Sequence, residues 1–282
     1  MALFSDILLT VDYDRTLTAP DATLPMRNVE AIRYFIENGG VFTVNTSRSV
    51  PMSMKNIMGM IPTNAPLLLY NGSAAYDDKT GELPRYIPIG FDLAKVLPEL
   101  QEKFPDLNIE VQAVDAHYLM KKNPKWEAYC SNNGAPWKYA DPADIPGPFL
   151  KFSVYSEFLS SSVADLYTKI PEDQKRFEEA MCYIEEHYGD YVDVYRSCPR
   201  LGDIHAKGVS KLDSARLLQK ELGRKILVCV GDGENDLPMM EGADYAFSPS
   251  DGAIADRFPN VCPCAEGAVA DVIYNELPKL VK

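Results

Sequence analysis

The sequence predicts an α/β protein: a doubly wound parallel sheet into which a second, α+β domain is inserted. Three observations carry that prediction. Short, largely apolar runs at residues 7–11, 41–45, 67–70 and 225–230 suit strands covered on both faces. The first three alternate with segments of helical period, which implies parallel strand–helix–strand units. From about residue 84 to 203 the texture changes to frequent aromatics and prolines, with partial period-2 alternation at 109–114 and 149–154. The boundaries that follow are a core of residues 1–83 and 204–282 and an inserted domain of residues 84–203.

Taken in order, the first strand runs from Ile7 to Val11 and ends in Asp12 and Asp14, one residue apart. At period 2 the two side chains share a side, at the carboxyl edge where open α/β sheets bind ligands. Two such carboxylates repel unless one holds a proton or a cation lies between them, and Mg²⁺ is the natural hard cation. Leu24-Pro25-Met26 opens a helix through Val29, Ile32, Phe35 and Ile36 that stops at Gly39-Gly40. The second strand then runs into Thr46-Ser47-Arg48-Ser49 at the start of another helix. Free N–H groups and the Thr46 hydroxyl there suit an anion, while Thr46 and Ser49 equally serve as helix caps. The third strand closes in the turn Asn71-Gly72-Ser73.

Within the insertion, helices are expected at 93–104, 163–170 and 177–187, with strands at 191–195 and near 201–204. After it, a helix carrying Leu212, Ala215, Leu217, Leu218 and Leu222 ends at Gly223. Lys211 falls in its first turn, where a cation opposes the helix dipole and so points to a bound anion. The strand at 225–230 delivers Gly231-Asp232-Gly233-Glu234-Asn235-Asp236. Its glycines let the backbone turn tightly, and Asp232 and Asp236 add hard oxygens. A preceding buried strand does not fit the helix–loop–helix of a calcium loop.

Composition narrows the partners. With 28 basic and 41 acidic residues the net charge is −13, which argues against nucleic acid or an anionic membrane. An anionic ligand therefore needs local cations, for which Arg15, Arg48 and Lys211 are candidates. No run approaches the length of a membrane span and no basic-then-apolar leader opens the chain, so a cytoplasmic protein is expected. The six scattered cysteines read as reduced thiols, with no zinc site at Cys262-Pro263-Cys264. His117, His187 and His205 show no mutual spacing of a catalytic or metal cluster and read as structural. Lys121 to Trp126 is the one basic and aromatic cluster, read as a solvated run or as a face for a phosphate or sugar.

DYDRTLT, NTSRS, YNGSA, GVSKLDSA and GDGENDLPMM occur in that order. Together they resemble the motifs of the haloacid dehalogenase superfamily of phosphatases, and in particular its Cof-type subfamily with the larger cap. The resemblance implies a Rossmann-like core with an α+β cap, and an aspartyl-phosphate mechanism. By position, Asp12 would be the nucleophile and Asp14 the general acid and base. Asp232, with Asp12 and the backbone carbonyl of Asp14, would hold Mg²⁺, and Asp236 would complete or orient that shell. Lys211 and Thr46 would bind the transferring phosphoryl group, with Ser47, Arg48, Asn71, Gly72 and Asn235 at the phosphate. Lys211 is preferred to Lys207 because GVSK at 208–211 aligns with the family's GVSKG.

The departures are Tyr13 and Arg15 in the first motif, Ser47 for Gly in the second, Leu212 for Gly in the third, and Ser248 to Asp251 where an Asn is common. The implied activity is Mg²⁺-dependent hydrolysis of a small phosphorylated metabolite of the sugar-phosphate class. A phosphomutase on the same core, or a non-catalytic phosphate-ligand binding protein, are the alternatives.

Overall fold

In the computed structural model residues 2–157 and 168–281 are described. The helix expected at 163–170 lies mostly outside that set. In chain order the elements begin with β1 (Ile7–Val11), α1 (Met26–Glu37), β2 (Val41–Val44), α2 (Val50–Asn56), β3 (Leu67–Leu69), β4 (Ala74–Asp77) and β5 (Glu82–Tyr86). Next come α3 (Leu93–Lys103), β6 (Asn108–Gln112), β7 (His117–Leu119), α4 (Pro124–Asn132), β8 (Trp137–Tyr139), β9 (Lys151–Tyr155), α5 (Pro171–Tyr188), β10 (Val192–Cys198) and β11 (Leu201–Ala206). They are followed by α6 (Lys211–Glu221), β12 (Ile226–Val230), α7 (Leu237–Glu241), β13 (Tyr245–Pro249) and β14 (Asn260–Val261).

The chain divides into two compact units: residues 1–47, 59–85 and 210–282, and residues 48–58 and 86–209. The first unit is built on a parallel sheet in the order β14-β13-β12-β1-β2. A parallel bridge from Asn45 to Leu68 attaches β3, which also pairs antiparallel with β4 in a separate three-stranded sheet with β5. Every residue of β1 and β2 is buried, Thr10 and Thr43 included, as strands covered on both faces require. Leu8, Val41, Leu227 and Cys229 pack with Ala215 and Leu218 of α6 and with Met239 and Met240 of α7. Each fully buried aliphatic of this kind contributes ~1.5–3 kcal/mol.

The second unit carries a six-stranded sheet in the order β10-β11-β9-β6-β7-β8, antiparallel except for the β7–β8 pair. Leu93, Val96, Leu97 and Leu100 of α3 and Phe177, Ala180, Met181 and Ile184 of α5 share its main core with Ile109, Val111, Phe152 and Val154. A second cluster joins Met52 of α2 to Leu119, Trp126, Cys130 and Tyr155.

Two expectations change here. Residues 48–58 pack with the second unit although the chain reading placed them in the first, because Met52 finds its apolar partners there. Trp126 is no surface group: only 2% exposed, it stacks between Tyr129 and Tyr155 at centroid distances of 4.6 and 4.3 Å, while Lys122 and Lys125 beside it are exposed. Among the described residues no helix is long and apolar enough to cross a membrane.

Candidate active site

Hydrogen bonds continue past the ends of the parallel strands and lock their carboxyl edge. The Asp12 amide donates to the Val230 carbonyl at 2.9 Å, the Asn45 amide to Val11 at 2.9 Å, the Thr46 amide to Leu68 at 2.9 Å, and the Asn71 amide to Thr46 at 3.0 Å. One or two residues beyond each strand, the chain thus still bonds to its neighbour. That places Asp12, Thr46, Asn71 and the 231–236 turn on one edge.

The local backbone departs from regular structure where the site needs it. Arg15, Tyr70 and Asn71 have φ of 59°, 53° and 54°, a region disfavoured for side-chain-bearing residues. Gly72 continues the same turn at φ 97°, and a Cβ there would lie 2.4 Å from the Ser210 carbonyl oxygen. Only glycine lets this turn pass against the start of α6. Gly231 plays the same part on the other side, since its Cβ would meet Asp236 Cβ at 2.7 Å.

Lys211 is the centre of the charge arrangement. Its Nζ donates at 2.6 Å to Asp12 Oδ1 and at 2.6 Å to Asp236 Oδ1, and the side chain is 1% exposed. Asp236 Oδ2 accepts the amides of Asp232 and Gly233, both at 3.1 Å, so this carboxylate fixes the turn and the lysine together. Asp232 Oδ1 accepts the Thr16 hydroxyl at 3.0 Å, and its Oδ2 lies 4.0 Å from Arg15 Nε. Burial alone would lower Lys211, but Asp12 and Asp236 outweigh it and hold the ammonium above the ordinary lysine range. Burial, only partly offset by Lys211, raises Asp12 well above the usual carboxylate range, with Asp236, Asp232 and Asp14 adding to the rise. Burial and the neighbouring Asp236 push Asp232 up to about 7.

Asp12, Asp232 and Asp236 offer oxygens all within 4.8 Å of one another, against one buried ammonium. An all-oxygen set of this kind fits a hard divalent cation such as Mg²⁺. Because both Asp236 oxygens are already engaged, Asp12 and Asp232 are the carboxylates better placed to ligate, with Asp236 orienting them. The Asp14 side chain is not part of that three-carboxylate group; it sits half-buried in the turn that follows Asp12.

Thr46, Asn71 and Gly72 are buried at the sheet edge, and Ser47 and Asn235 are half-buried. Arg48 is buried and is the first residue of the segment that belongs to the second unit. Lys207 is 56% exposed and pairs with Asp193 at 2.7 Å, whereas Lys211 lies among the carboxylates.

Two contributors escaped the sequence reading. Asn45 Nδ2 donates to the Lys211 carbonyl at 2.8 Å and so grips the first residue of α6. Its signal was a polar residue closing a buried strand. Thr16, the threonine of the first motif, holds Asp232. The Ile254 amide donates to the Asp232 carbonyl at 3.2 Å and ties the turn to the segment after β13.

A family model described as haloacid dehalogenase-like hydrolase matches residues 9–253, which span Asp12, Thr46, Asn71, Lys211, Asp232 and Asp236. The chain belongs to the haloacid dehalogenase-like hydrolases. Among curated relatives, this hydrolase is 27% identical over 265 residues to a protein of Buchnera aphidicola subsp. Baizongia pistaciae named "Putative phosphatase", covering 90% of this chain and 91% of that one. Among solved structures it resembles a haloacid dehalogenase-like hydrolase from Bacteroides thetaiotaomicron, with TM-score 0.77, 19% identity, and coverage of 94% of this chain and 97% of the other. A sugar phosphatase of HAD subclass IIB aligns with TM-score 0.72 and 16% identity over 94% of this chain and 97% of its own. At those identities the structural likeness establishes the fold: a parallel α/β core with an additional antiparallel sheet region.

Proposed function

We propose that this hydrolase is a Mg²⁺-dependent phosphatase of small phosphorylated metabolites, of the sugar-phosphate class, working through a phosphoryl group carried on Asp12. The observation that carries the reading is the Lys211 ammonium held at 2.6 Å from both Asp12 and Asp236 within a three-carboxylate cluster. Relatives named as phosphatases, one of them a sugar phosphatase, support it.

In the first step an Asp12 carboxylate oxygen attacks phosphorus, the ester P–O bond breaks, and Asp14 gives its proton to the leaving oxygen. In the second, Asp14 takes a proton from water as that water attacks phosphorus; the bond from phosphorus to Asp12 breaks and inorganic phosphate leaves. Lys211 and Thr46 bind the transferring oxygens, and Ser47, Asn71, Gly72 and Asn235 line the phosphate's approach. The Mg²⁺ that Asp12, Asp232 and the Asp14 carbonyl would hold supplies charge neutralisation as a dianion meets carboxylates. We assign substrate choice to residues 84–203, because the carboxylates and Lys211 all lie outside them. The test is phosphate release from a panel of phosphorylated metabolites, with Mg²⁺ and after exhaustive chelation. Mg²⁺-dependent release, highest with sugar phosphates, is the expected result. Absence of release from any ester, or full turnover without a divalent ion, would overturn the reading.

A further inference from the structure

The second unit contains another convergence of ligand side chains. Glu110 and Gln112 lie two residues apart on β6, and the antiparallel register sets Gln112 opposite His117 of β7, so all three share one sheet face. Cys130 of α4 joins them. Glu110, His117 and Cys130 are fully buried, and each presents a ligand atom within 4.8 Å of the others.

We propose that Glu110, His117 and Cys130 form a binding site for a zinc-class transition-metal ion. Spacing is the first argument. His117 Nδ1 lies 3.6 Å from Glu110 Oε1 and 3.7 Å from Cys130 Sγ. Bond lengths of about 2.0–2.1 Å to nitrogen and oxygen and about 2.3 Å to sulfur, at tetrahedral angles, put such ligand atoms roughly 3.4 and 3.6 Å apart. The agreement is within the ~0.2 Å that tests a metal site, whereas 3.6 Å is too long for a side-chain N–H···O hydrogen bond.

The surroundings are the second argument. Ligating imidazoles have their far nitrogen fixed by a hydrogen-bond partner, and His117 Nε2 lies 2.7 Å from Ser49 Oγ, which also accepts the Met52 amide at 3.3 Å. Glu110 is oriented likewise: Oε2 accepts the Trp126 indole N–H, and Oε1 accepts Gln112 Nε2 at 2.5 Å. Gln112 is 5% exposed, and its Oε1 is a buried acceptor with no hydrogen-bond partner, a further oxygen beside the cluster. A thiolate, an imidazole and a carboxylate select zinc over the hard cation suited to the core carboxylates. Burial raises the Cys130 thiol, so binding releases its proton to solvent. A filled site ties β6, β7 and α4 together and, through Ser49, the start of α2.

The test is titration of the full-length, metal-free chain with Co²⁺ followed by Zn²⁺. One equivalent of Co²⁺ is expected to produce a thiolate-to-cobalt charge-transfer band that Zn²⁺ removes, and Asp232→Asn is expected to keep it. The core cluster contributes only carboxylates, so it cannot imitate that band. Ser49→Ala, which deletes the partner of the far imidazole nitrogen, is expected to weaken zinc binding ~10–100-fold. A chain that binds Co²⁺ without a thiolate band, or whose zinc affinity is unmoved by Ser49→Ala, overturns the assignment.

Discussion

Replacing Lys211 by Met tests how much of the first unit's stability and chemistry rests on one ammonium. Methionine keeps most of the apolar stem but deletes both 2.6 Å contacts, leaving Asp12 and Asp236 buried at 6% and 0% exposure without their common cation. Breaking a buried pair from one side costs ~3–5 kcal/mol. The loss should depend on pH in a defined direction. Without Lys211 Asp12 loses the one charge that offsets its burial and its carboxyl rises further, so the native state holds a proton that the unfolded chain has already released. Stability of the variant therefore falls as pH rises, and its deficit against the parent should be small near pH 5 and full near pH 8. Urea denaturation in a chelator at both pH values reads the difference. Turnover should fall ~10²–10³-fold, the usual loss when one charge-stabilising donor is removed. A deficit under ~1 kcal/mol at pH 8, or one that grows toward acid, would refute this reasoning.

Three further outcomes can be measured alongside. Asp14→Asn should lower turnover ~10²–10⁴-fold with unchanged circular dichroism, because only proton transfer is removed; near-normal turnover would exclude it as the acid. Burial, outweighing the favourable charge of Asp203, lowers His205 to about 3, so it stays neutral in the fold while the unfolded chain protonates near 6.5. Its contribution is present above about pH 6.5 and is lost as pH falls toward 3, so the chain should lose stability over that window and His205→Gln should lose less; identical acid profiles would contradict this. Gly72→Ala should cost at least ~2 kcal/mol through its φ of 97° and the 2.4 Å approach to the Ser210 carbonyl, as read by thermal unfolding; a neutral result would mean that the turn is not constrained as described.

In the parallel core β1, β2, β3 and β12 are legible as short, largely apolar runs with site residues just past their ends, whereas β13 (Tyr245–Pro249) and the two-residue β14 carry no comparable signal. Asp12 after β1 and Asp232 after β12 are visible from the chain for that reason, and helix propensity places Lys211 at the head of α6. What stayed hidden depends on contacts between distant segments. The grip of Asn45 on Lys211 spans 166 positions, and the Thr16 hold on Asp232 spans 216. In the insertion, β7 and β8 are three residues each, too short for a periodic signal, and the run Lys121 to Trp126 that leads into α4 reads as a solvated stretch or a phosphate or sugar face because its lysines mask the buried Trp126. Glu110, His117 and Cys130 come from three elements and have no common spacing, so histidine spacing along the chain could not reveal their convergence.

The most direct measurement is mass spectrometry of the chain quenched in acid during turnover of a good phosphate ester. The expected result is the mass of one phosphoryl group on the peptide containing Asp12, at a level set by formation and hydrolysis, and its absence together with turnover in Asp12→Asn. Turnover with no adduct under conditions that preserve acyl phosphates, or an adduct on another residue that persists in Asp12→Asn, would contradict a phosphoryl group carried by Asp12.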